Sequence, residues 1–117
     1  MSASEPILDI DALLESVGDD RDLLDEMAAT FHAEAPGWIA SLRTAIESGQ
    51  AEAIFRVAHS VAGAVGYFRA AGVRQRAADL EAMGRAGRLD GASAQLDQLE
   101  AALLDLGRVL REAPWHR

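Results

Sequence analysis

Apolar residues recur along this chain at three- and four-residue steps rather than in alternation, the spacing of amphipathic helices and not of strands. Ile10, Leu13, Leu14 and Val17 form a short first set, with Asp9 or Asp11 placed to cap it and Gly18 to end it. Asp19 and Asp20 then precede a long stretch in which Leu23, Leu24, Met27, Phe31, Ala35, Trp38, Ile39, Leu42 and Ile46 keep the period until Gly49. Pro36 interrupts this stretch. Because proline removes a backbone donor and crowds the preceding turn, a kink near Ala35 or a break into two helices is expected. Ile54, Val57, Ala58, Val61, Val65 and Phe68 predict a further helix over about 51–67. The next, over about 70–85, has a weaker stripe of Val73, Ala77, Leu80 and Met83, and gives way to Gly84, Gly87 and the turn-like Leu89-Asp90-Gly91. A last helix over about 92–112 carries Leu96, Leu99, Leu103, Leu106 and Leu110 in heptad-like order until Pro114 stops it.

Short connections between long amphipathic helices place sequence neighbours antiparallel. The expected fold is therefore all-α, an antiparallel up-down four-helix bundle with a short N-terminal capping helix. At 117 residues there is room for one domain, expected over 9–113 between a flexible tail at 1–8 and a second tail at 114–117. Composition agrees: half of the residues are hydrophobic but only 5% are aromatic, and Ala and Leu outnumber the residue types strands prefer. A formal charge of −8, with no basic stripe, argues against nucleic acid and anionic membranes as partners. All 11 basic residues are Arg, and the absence of Cys excludes thiolate catalysis and disulfides. Residues 1–6 lack the features of a signal peptide, and no apolar run reaches the roughly 20 residues of a membrane span. A soluble cytoplasmic protein is expected. It is expected to act as a monomer, since no second wide apolar stripe is evident, although the Leu-rich last helix leaves dimerisation open.

On a helical wheel of the 51–67 segment, Glu52, Phe55, Arg56, His59, Ala62, Gly63 and Gly66 fall beside the apolar stripe. This puts His59 at the surface. Glycine inside a helix costs roughly 0.5–1 kcal/mol relative to Ala, so Gly63 and Gly66 on one face need a reason. One is steric access to the imidazole by another protein; the other is close helix packing within the bundle. A lone helical histidine is more often an ordinary surface residue, and neither His32 nor His116 stands at metal-ligand spacing from His59.

The segment Ala58-His59-Ser60-Val61-Ala62-Gly63-Ala64-Val65-Gly66 resembles the signature of the histidine-containing phosphotransfer (HPt) family. That family's Leu-Glu pair, with its Glu 22 residues after the histidine, matches Leu80-Glu81, and the stretches Leu8 to Leu14, Asp20-Arg21 and Phe31 to Pro36 are also similar to the way these domains begin. The resemblance implies that His59 accepts a phosphoryl group from a receiver-domain aspartate and passes it to another receiver, the partners being receiver domains of response regulators and of a hybrid histidine kinase. It implies no cofactor bound by this chain, with Mg²⁺ expected from the receiver, and no kinase or nucleotide-binding activity. Arg56, Ser60, Ala62 and Gly63 become candidate neighbours of the phosphoryl group, and Phe55, Gly66 and Tyr67 candidates for partner docking; edge-of-core packing is an equal reading for Phe55 and Tyr67.

Two positions depart from the family pattern. Ala62 stands where a Lys is usual, and Arg69 where a Gly is usual. The missing Lys leaves open a degenerate bundle that binds receivers or kinases without efficient transfer. Arg56, one turn before His59, is the expected substitute cation, with a solvated charge paired to Glu52 as the plainer reading. The phosphoacceptor helices of a histidine kinase are disfavoured by Ser60, where an acidic residue normally follows the histidine, and a metal-binding bundle by the absence of Glu-x-x-His pairs.

Overall fold

The computed structural model describes residues 7–116. They form five α-helices and, among the described residues, no strand: α1 (Ile10–Ser16), α2 (Arg21–Glu47), α3 (Ala51–Gly66), α4 (Ala71–Ala86) and α5 (Ala92–Glu112). The acidic caps act as the pattern requires. Asp9 accepts from the Ala12 N–H at 3.1 Å and Asp20 from the Leu23 N–H at 3.0 Å, each satisfying one orphan donor of a helix start. The chain leaves α4 through Gly87 in the left-handed region (φ 69°), with the Arg88 N–H on the Met83 carbonyl at 3.0 Å, and enters α5 through Gly91 (φ 81°).

α2 runs unbroken through Pro36, so the division into two helices does not occur. Pro36 is exposed. Leu24, Ala28 and Phe31 before it and Leu42 and Ala45 after it are all buried, so packing holds both halves to one core and outweighs the lost hydrogen bond.

α2 packs on α3, α3 on α4, α4 on α5 and α5 back on α2, closing a ring around one apolar core. Ile54, Ala58, Val61, Val65, Leu80, Leu96, Leu99 and Leu106 are at its centre, and a fully buried Leu or Ile contributes about 1.5–3 kcal/mol. Phe31 joins three rings edge-on, with centroids 5.6 Å from His32, 5.9 Å from Trp38 and 6.1 Å from Phe68. Near the end of α2, Arg43 meets Asp97 and Glu100 of α5 at 3.3 and 3.1 Å.

Both expected tails require correction. Residues 1–6 and 117 lie outside the described residues, but Leu8 is buried in the core and Ile7 packs against it. Trp115 is only 1% exposed, and its indole N–H donates to Asp25 near the start of α2 at 2.9 Å. His116 Nε2 reaches the same carboxylate at 2.7 Å. These contacts, the indole first, hold the Asp25 carboxyl below the usual Asp range. Apolar burial and a hydrogen-bonded indole therefore fix Trp115 and His116 to α2.

Gly84 requires the second correction. The sequence suggested the end of a helix there, but Gly84 lies inside α4, buried where α4 crosses α3. A Cβ at this position would come within 2.5 Å of the Phe55 nitrogen and 2.8 Å of the Ala51 carbonyl oxygen. The two helices touch backbone to backbone. Gly37 is the opposite case, a mid-helix glycine in α2 with nothing within 4 Å of its missing Cβ. Gly84→Ala is expected to lower stability by about 1–3 kcal/mol through overpacking, and Gly37→Ala to raise it by about 0.5–1 kcal/mol through helix propensity. Urea unfolding of both variants reads the two signs.

Arg69, one of the two departures from the family pattern, joins α3 to α4 with φ 60°. This is the left-handed region, which disfavours an L side chain by about 1–2 kcal/mol and leaves glycine unstrained. The usual glycine thus has a backbone reason, and this protein carries strain in its place. Arg69→Gly is expected to raise the thermal midpoint, with a gain of roughly 0.5–1 kcal/mol after glycine's entropy cost; an unchanged or lower midpoint would show that the turn relaxes around the arginine.

Candidate functional site

The apolar stripe of α3 faces inward as its spacing requires, with Ile54, Ala58, Val61 and Val65 buried and Val57 partly so. That rotation turns the next residue after Ala58 outward. The His59 side chain is 71% exposed, yet it is not loose: Nδ1 lies 3.0 Å from Oε2 of Glu81 on α4, whose side chain is only 15% exposed. The Gly84 contact one turn along α4 brings the two helices close enough for this bond. A carboxylate only accepts, so in the neutral imidazole Nδ1 carries the proton and Nε2 presents its lone pair.

Two more groups brace the ring. Phe55, one turn before His59, is half-buried and lies nearly parallel to the imidazole, with centroids 6.0 Å apart and planes at 26°. Arg85 sits above the Phe55 ring, 5.0 Å from its centroid, and donates to Glu81 Oε2 at 3.3 Å. The same carboxylate oxygen therefore serves both the histidine and an arginine one turn away, an i,i+4 pair on α4.

Beside His59 the α3–α4 seam opens into a hollow lined by Ala62, Gly63, Arg74, Gln75 and Glu81 among others. Ala62 is 8% exposed and belongs to the core, not to the exposed face where the wheel placed it; the closeness of α4 covers it, and it borders the hollow from below. Gly63 is exposed, with nothing within 4 Å of its missing Cβ, which leaves the approach to the imidazole open. Gly66 meets the aliphatic stem of Arg74, with Cδ at 3.5 Å. Neither glycine makes the backbone contact of the packing alternative, since Gly84 does.

The remaining sequence candidates fall in different places. The Ser60 hydroxyl donates to the Arg56 carbonyl at 3.3 Å, a bond within its own helix and not one to the imidazole. Arg56 is exposed, does not line the hollow, and has no carboxylate within 4 Å among the described residues, so the expected pair with Glu52 is not formed. Tyr67 is exposed and lines a separate apolar groove with Leu23, Met27 and Trp38 between α2 and α3. His32 is packed against Gly107 of α5 and held below the usual histidine range, mainly by burial. Arg74 and Arg85 went unnoticed in the sequence; the four-residue step from Glu81 was a signal for Arg85, whereas Arg74 needs the register of α4 on α3.

Among the described residues no group of three or more metal-ligating side chains converges, and no helix is long and apolar enough to cross a membrane.

Comparison with known proteins agrees with this geometry. No curated protein matches the sequence. Among solved structures, histidine-containing phosphotransfer protein B (HptB) from Pseudomonas aeruginosa PAO1 is similar over 97% of this chain and 100% of its own, with a TM-score of 0.85 and 28% sequence identity. The family model of the Hpt domain matches residues 26–108, which include His59, Glu81 and the whole α3–α4 seam, and the chain therefore belongs to the Hpt domain family, the phosphotransfer carriers of phosphorelay signalling.

Proposed function

We propose that this protein accepts a phosphoryl group on Nε2 of His59 from the aspartyl phosphate of one receiver domain and delivers it to the aspartate of another. The observation that carries this reading is the His59–Glu81 contact: an exposed imidazole with its Nδ1 proton held and its other nitrogen free. Attack by the Nε2 lone pair forms the N–P bond as the bond from phosphorus to the aspartate oxygen breaks, and the carboxylate leaves with the electron pair. No proton has to move. The ring gains a positive charge, which the Glu81 carboxylate offsets, and the reverse sequence returns the group to a second receiver. Phosphoryl transfer depends mainly on positioning and charge, and this chain's share is a nucleophile in fixed orientation. The Mg²⁺ is assigned to the receiver.

The four long helices are read as an antiparallel up-down bundle with α1 as its cap. Its support is the set of pairings between helix ends, Arg43 with Asp97 and Trp115 with Asp25. The protein acts as a cytoplasmic monomer in this reading, with a hybrid histidine kinase supplying one receiver. The open surface over Gly63 favours transfer over a bundle that only binds, because it leaves room for a receiver's catalytic loops.

Receivers loaded in vitro with labelled phosphate are expected to label the wild type on His59. His59→Gln should abolish the labelling while leaving the thermal midpoint in place; persistent label in that variant would sink the assignment. A second measurement addresses the ring itself. ¹⁵N resonances of His59 are expected to report the Nδ1–H tautomer in the neutral ring and to shift toward mixed tautomers in Glu81→Ala, with transfer slowed by about tenfold, a barrier about 1.4 kcal/mol higher.

A further inference from the structure

We infer that Arg74, on the helix facing His59, is the cation that holds the phosphoryl group on this protein's side of the transfer, an inference that rests on the phosphotransfer reading above. A phosphoryl group carries about −1.5 to −2 charges near neutral pH. Here it must settle on a protein of net charge −8, beside the Glu81 carboxylate. A nearby donor cation therefore has much to offset, and Ala62 on α3 supplies none.

Three arginines stand near the histidine, and the structure separates them. Arg85 is committed, bonded to Glu81 and laid over Phe55. Arg56 is on α3 outside the hollow. Arg74 lines the hollow that His59 and Glu81 also line, is exposed, and has no carboxylate within 4 Å among the described residues. Its neighbour Gln75 lines the same hollow, but its amide donates to Asp79 at 2.8 Å. Arg74 is therefore the uncommitted cation of this lining.

Its placement follows from α3. The Arg74 stem lies across Gly66, with Cδ 3.5 Å and Nε 3.7 Å from where a Cβ would be. Gly66 is two helical turns beyond His59, a rise of about 10 Å, and Gly63 lies between them with open space over it. The low relief of Gly63 and Gly66 leaves the guanidinium room to turn along the seam toward the histidine. Its forked N–H groups can then donate to two phosphoryl oxygens at once. Arg74 transfers no proton; it donates hydrogen bonds while the N–P bond forms and the P–O bond to the receiver breaks.

The test uses the full chain and two phosphoryl donors. Phosphoramidate, an inorganic donor, loads His59 without any receiver, and ³¹P NMR then follows the ionisation of the phosphohistidine with pH. A neighbouring cation favours the dianion, so Arg74→Ala should move the midpoint upward, Arg74→Lys should restore most of the shift, and Arg56→Ala should leave it in place. With a phosphorylated receiver as donor, Arg74→Ala should slow transfer about tenfold at unchanged receiver affinity. Adding Ala62→Lys to that variant should recover part of the rate, since position 62 borders the same hollow. Equal midpoints for wild type and Arg74→Ala would overturn the inference, as would a shift produced by Arg56→Ala instead. A shift in Arg74→Ala with no receiver able to label the wild type would leave Arg74 in its place and overturn the phosphorelay reading.

Discussion

The contact at Gly84 sets the distance between α3 and α4, and that distance determines most of what is notable about the site. With hydrogen in place of a side chain, the α4 backbone rests on the α3 backbone at Phe55 and Ala51. One turn away, Glu81 then reaches the imidazole without leaving its largely covered position, and Arg85 reaches both Glu81 and the face of Phe55. Ordinary interhelical distances of about 8–10 Å would leave a carboxylate side chain more slack and more water. The glycine that shapes the centre is therefore not one of the two that flank the histidine.

A relay histidine has opposing requirements. It must be exposed to meet the active sites of two proteins, yet a freely rotating exposed ring presents either nitrogen in many orientations. On the proposed reading both are met by burying the restraint and not the imidazole: Glu81 is largely covered while His59 is largely open. Phe55 supports one face of the ring, and Gly63 clears the approach. In the proposed transfer little else is asked of this chain, because the catalytic centre is assigned to the receiver.

Much of this was legible in the sequence. The 3.6-residue period located all five helices, because each buries a single stripe, and the motif with its 22-residue spacing to Glu81 marked the two residues that meet. What escaped was set by contacts between elements. Nothing in the local sequence separates Gly84, a point of backbone contact, from a helix-ending glycine. Ala62 looked exposed because the wheel knows the angle around α3 but not how closely α4 lies over it. That the segment after Pro114 is tied to α2 through Asp25 could not be read past a helix-breaking proline, and the bond from Trp115 shows it. The usual Gly at Arg69 stood out as a pattern, but its reason became visible only with the backbone angle.

The tie between Asp25 and the Trp115-His116 pair joins residues 90 and 91 positions apart. Contacts of such long range cost more to form than local ones, since loop-closure entropy grows with the span enclosed. The α5–α2 edge of the ring thus encloses the longest stretch of chain and carries the largest loop-closure cost. The α3–α4 hairpin, whose contacts lie within about 35 residues of sequence, carries the smallest. The imidazole and the carboxylate that holds it therefore sit on the most local pair of helices, whose register depends least on the rest of the chain.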